Sequence, residues 1–166
     1  YGKTVIERLV DVRNKFPKAI IGHVGKELCK KNNQLGMFYR SKQPASLKTN
    51  PNQVYFLGGS GTYYPFQSLD ERVTDIEAIH CIVPGRGSDI WFWAAAVAKG
   101  TRQVCLGSKA DLSLYFAIPR RDDIKPLDQP GQEVMEERFQ MAIDYFGIRE
   151  KLLWELPNKS EKNNVQ

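Results

Sequence analysis

With 166 residues, 42% of them apolar and 26% charged, the chain carries enough hydrophobic surface to offset chain entropy, which excludes disordered and fibrous classes. That length favours one domain, expected over residues 1–157, with 158–166 as a mobile tail. The net charge of +5 is unevenly spread: residues 1–50 carry 11 Lys+Arg against 3 Asp+Glu (+8), and residues 51–166 carry 13 against 16 (−3).

A basic opening third on a nearly neutral remainder is what a phosphate-rich partner requires, because local field rather than total charge attracts a polyanion. No apolar run approaches the roughly 18 residues of a membrane span, and YGKTVIERLV lacks the basic-then-apolar layout of a signal peptide. No membrane partner is expected, and the expected location is intracellular, in a reducing compartment such as the cytoplasm. Cys29, Cys81 and Cys105 have no CxxC spacing, so they specify neither a disulfide framework nor a zinc finger.

In chain order, Thr4 and Glu7 match a capping box, and Val5, Leu9, Val12 and Phe16 recur at helical spacing until Pro17, predicting a helix that ends near Lys15. Residues 18–31 read as a second short helix weakened by Gly22 and Gly25. Gly36–Arg40 reads as a strand, followed by the polar loop SKQPASLKTNPN. Val54–Leu57 and Ala78–Val83 are short continuous apolar runs of the kind buried on both faces of a sheet, and each stops in a glycine turn. DIWFWAAAVAK then predicts a helix with Ser88 or Asp89 as N-cap and Gly100 just past its end, and Gln103–Leu106 predicts a strand. Strand, turn, helix and strand in about 30 residues is the spacing of a right-handed βαβ unit. A hairpin around Ala98–Thr101 is the competing assignment, since Trp91, Phe92 and Trp93 favour strands. Leu112–Ile118 reads as a further strand, and Gln132–Leu156 as an amphipathic helix broken at Gly147. The expected fold is therefore α/β: one compact domain with a short, mainly parallel sheet, an N-terminal helix and an amphipathic C-terminal helix.

Two sets of residues carry the functional candidates. Lys26, Lys30, Lys31, Arg40, Lys42 and Lys48 offer charge for phosphates, interleaved with aromatic faces of which Tyr39, Tyr63 and Tyr64 are candidates to stack on bases. Gly59, Ser60, Gly61, Thr62 and Gly85, Arg86, Gly87, Ser88 are candidate phosphate-binding turns, because unsatisfied N–H groups at a helix start hold an anion without any side chain. GRGSD lacks both the third glycine of GxGxxG and the GK[ST] of a P-loop, so no cofactor is specified. Asp75 and Glu77, two apart, read as solvated charges entering a strand rather than as a metal site.

QLGMFYR, VYFLGGSG and IWFWAAAVAKG are similar, in order, to segments of coronavirus nucleocapsid N-terminal RNA-binding domains. IVPGRGSDIWFWAAA is similar to the phosphate turn of cytokinin-type phosphoribohydrolases. The two resemblances imply incompatible folds, and neither is adopted. The leading expectation is a protein that binds RNA or single-stranded nucleic acid through its basic opening third. The rival is a Rossmann-like enzyme acting on a nucleotide or sugar phosphate through both glycine turns. A third reading is a subunit of a larger assembly, with Trp91, Trp93 and Trp154 making protein contacts.

Overall fold

The first helix, α1 (Lys3–Lys15), ends where Pro17 forbids its continuation, and Thr4 lies inside its first turn rather than at the cap. A computed structural model describes residues 3–57, 61–107 and 130–158 of the chain. The helical spacing read from the sequence has a direct counterpart in packing. Val5 is buried, and Leu9, Val12 and Phe16 pack against Ala19, Ile21 and Val104. His23 fixes the start of the helix by donating from Nε2 to Val5 O at 2.9 Å. The opposite side leaves Ile6 and Val10 exposed.

Residues 18–31 are not a helix; they form β1 (Ile20–Gly22) and β2 (Gly25–Leu28). The reason is in the glycines, which serve close packing. A Cβ on Gly22 would lie 2.3 Å from the Phe56 ring, so only glycine allows the strand to approach that side chain. β1 pairs in parallel with β6 (Gln103–Cys105) and antiparallel with β5 (Thr62–Tyr63). Alternation assigns its faces: Ile20 joins Phe56, Ala96 and Cys105 on one side, and Ile21 joins Val104 and α1 on the other.

A second sheet has β2 between β3 (Arg40–Pro44) and β4 (Val54–Phe56), antiparallel to both. The strand expected at Gly36–Arg40 therefore begins where it was expected to end. The chain reverses earlier, at Asn32 and Asn33, both with positive φ (50° and 58°) between the doubly bonded Lys31 and Gln34, the geometry of a type I′ turn. Of the four strand pairings among the described residues only β1–β6 is parallel, so the sheets are mixed rather than mainly parallel. The class is mixed α/β.

Ala78–Val83 is also not a strand. It lies in α2 (Ile76–Ile82), because Asp75 caps it by accepting from Ala78 N at 3.0 Å, and only Ile82 of the helix is buried. The expected βαβ unit thus lacks its first strand: the turn at 84–87 joins α2 to α3 (Ser88–Lys99). α3 is the central helix, with Ile90, Trp91, Trp93 and Ala94–Val97 buried. The C-terminal amphipathic segment is broken as expected at Gly147 (φ +68°), giving α4 (Gln132–Tyr145) and α5 (Arg149–Glu155). Phe139, Ala142, Ile143 and Leu152 close the main core over α3. The expected strand Leu112–Ile118 and the tail from 159 lie outside the described residues. No described helix is long and apolar enough to cross a membrane.

Three carboxylates tie these helices together, each held below its ordinary value of 3.8. For Asp70 the cause is hydrogen bonding from Arg72, for Asp75 the Ala78 N–H and then the Tyr145 hydroxyl, and for Asp144 the Arg149 guanidinium. A depressed folded-state value means that the stabilisation is present above the unfolded value and is lost as pH falls through the folded one. The urea midpoint should therefore fall as pH drops below about 4, modestly because all three groups are solvated. Asp75→Asn, which keeps an acceptor at the cap but cannot titrate there, should flatten part of that fall.

Candidate nucleic-acid interface

The basic residues singled out from the sequence fall on β2, on β3 and on the segments next to them. Lys26, Arg40 and Lys42 lie on the β2–β3 ribbon, where Lys26 pairs with Pro44 and Tyr55 and is half-buried. Lys31 is exposed at the hairpin turn, and Lys48 is exposed in a loop pinned to β2 by Thr49 Oγ1 donating to Glu27 Oε1 at 2.5 Å. That bond places an acid among these cations. Lys30 is occupied within the fold, since its Nζ donates to Leu153 O at 2.6 Å and so places a cation at the carbonyl end of α5. Tyr39 lies across Gly36, and Tyr64 packs on Phe92 with ring centroids 5.6 Å apart. Burial, and then the charge of Asp89, pushes the Tyr64 hydroxyl up to about 12.

Of the first glycine turn, Gly59 and Ser60 lie outside the described residues, whereas Gly61 and Thr62 lead into β5, with Gly61 O accepting from His23 N. The other turn lines a cleft of about 350 Å³ with Gly85, Arg86, Gly87 and Ser88. Gly87 is the left-handed N-cap of α3, but it follows a helix instead of a strand, and Asp89 brings a carboxylate into the first helical turn. Arg138 Nη1 already donates to Arg86 O at 2.6 Å. These features remove the parallel strand-to-helix frame that the Rossmann reading required.

A different cleft, of about 890 Å³, lies between the end of α1, the turn after β5 and the end of α3. Arg13, Lys15, Lys18 and Arg102 line it, all exposed, and no carboxylate among the described residues pairs with them. Phe16, Tyr63 and Phe66 supply aromatic surface, and Arg102 lies over the Phe16 ring at 4.6 Å. None of the described lining residues is acidic.

Cations at helix C-termini often do no more than balance the dipole. Two such ends meet here, at Lys15 and at Gly100, each equivalent to about −0.5 charge. Four unit charges exceed that by about three, so dipole balance leaves most of the positive field unspent.

The turn Pro65–Ser68 shapes the rim. Ser68 N donates to Pro65 O at 3.2 Å, and Gln67 adopts φ +57°, a left-handed position where glycine is favoured and where other residues lose about 1–2 kcal/mol. Phe66, on this turn, is 91% exposed. Behind it, Ser68 is buried with its carbonyl accepting from Thr101 Oγ1 at 2.7 Å, and its own Oγ has no hydrogen-bond partner among the described residues.

Sequence reasoning missed Phe16, Phe66, Ser68 and Arg102, and it treated Arg13, Lys15 and Lys18 as part of the basic third without selecting them. A signal was present: RNKFPK interleaves three cations with an aromatic residue. Comparisons with protein-family models, with curated proteins and with solved structures return no match.

Proposed function

We propose that this protein binds single-stranded nucleic acid or RNA through the cleft lined by Arg13, Lys15, Phe16, Lys18, Tyr63, Phe66 and Arg102. The observation that carries the reading is chemical composition at one place: four cations without a described carboxylate partner, interleaved with three aromatic side chains. Phosphates require the former and unpaired bases the latter, and a sequence-tolerant binder of single strands needs both along one groove. The basic opening third contributes three of the four cations, so this reading keeps the leading expectation and changes the residues that carry it.

The test is the salt dependence of binding to a single-stranded oligonucleotide. Four phosphate contacts give a log K against log salt slope of about −2.8, which weakens affinity about 50-fold between about 50 and 200 mM salt. Fluorescence anisotropy measures it. Affinity that does not change over that range rejects the proposal.

A further inference from the structure

Resting on that reading, we infer that Phe66 forms a seat for one unpaired base, with its ring as the stacking face. Two features of the Pro65–Ser68 turn converge on this. Phe66 is 91% exposed beside a cleft whose other aromatics, Phe16 and Tyr63, are half-buried. An aromatic ring in water at the rim of a cationic groove is available to a π-face from solution, and every base has one.

The second feature is rigidity. Ser68 N donates to Pro65 O, Ser68 O accepts from Thr101 Oγ1, and Gln67 takes the left-handed conformation that the turn demands. The backbone that carries the ring is therefore fixed before a ligand arrives, which lowers part of the ordering cost of stacking.

The experiment compares two ten-nucleotide probes, oligouridylate and the same ribose-phosphate backbone with every base removed, on the wild-type chain and on Phe66→Ala. The wild type should bind oligouridylate roughly ten- to hundredfold more tightly than the abasic strand. Phe66→Ala should erase most of that advantage, so that the two probes bind it with similar affinity. Because Phe66 is exposed, its variant is expected to fold, and circular dichroism checks this. If Phe66→Ala weakens both probes equally, or neither, the seat is wrong although salt-dependent abasic binding leaves the phosphate cleft standing. If neither probe binds the wild type, both proposals fall. If Phe66→Ala instead abolishes a concentration-dependent self-association seen by sedimentation, the ring belongs to a protein contact and the seat is overturned.

Discussion

Reversing three charges at the cleft, Arg13→Glu with Lys18→Glu and Arg102→Glu, should lower affinity for a single-stranded oligonucleotide more than a hundredfold and leave a salt slope near zero. All three side chains are exposed and none forms an ion pair with a described carboxylate, so loss of folding is not the expected cause. The loss of the Arg102–Phe16 contact costs about 0.5–1 kcal/mol at such a site. The informative comparison is Lys26→Glu with Lys31→Glu and Lys48→Glu, which changes net charge by the same −6. If only the total mattered, the two triples would behave alike. With screening over about 10 Å in ordinary buffer, charges on the β2–β3 ribbon act weakly on a ligand in the cleft, and the second triple should cost less than about fivefold. Lys30 is left out of that control because its bond to Leu153 O ties it to the end of α5. Its replacement would mix stability with binding.

Trp91→Ala should be the most damaging single truncation, at about 3–5 kcal/mol, with a melting temperature lower by roughly 10 °C or more. The side chain is 2% exposed and meets Tyr145 and Phe146 with ring centroids at 5.2 and 4.8 Å. Its Nε1 donates to Val73 O at 2.9 Å, so truncation also leaves a carbonyl without its donor. Arg72 completes the joint by donating to the carbonyls of Tyr145 and Phe146 while bound to Asp70. By contrast Trp154→Ala, at a site 89% exposed, should change stability by no more than about 0.5 kcal/mol. Thermal unfolding followed by circular dichroism measures both. The same burial corrects the assembly reading for two of its residues: Trp91 and Trp93 are core residues, and of the three tryptophans only Trp154 is exposed.

What is legible in the sequence is whatever depends on short-range rules. The helical spacing of Val5, Leu9, Val12 and Phe16, the alanine run of α3 and the positive-φ break at Gly147 are properties of neighbouring residues, and each has its structural counterpart. Ala78–Val83 misleads because a short apolar run is compatible with strand and helix alike. Asp75, which decides the matter by capping, stands just outside the run and reads in sequence as a solvated charge. Gly22 and Gly25 read as helix weakeners because the side chain that demands the missing Cβ at Gly22, Phe56, is distant in sequence. The cleft is illegible for a related reason: Arg13–Lys18, Tyr63–Ser68 and Gly100–Arg102 become one site only through β1 pairing with both β5 and β6. Spacing within one segment carries no trace of that juxtaposition.

Mapping amide chemical shifts during titration with a single-stranded oligonucleotide tests the location of binding most directly. The account predicts that perturbations concentrate at residues 13–19, 63–68 and 100–102 and fade as salt is raised. Perturbations confined to the β2–β3 ribbon or to the 84–88 turn, with the α1–α3 cleft silent, would contradict it.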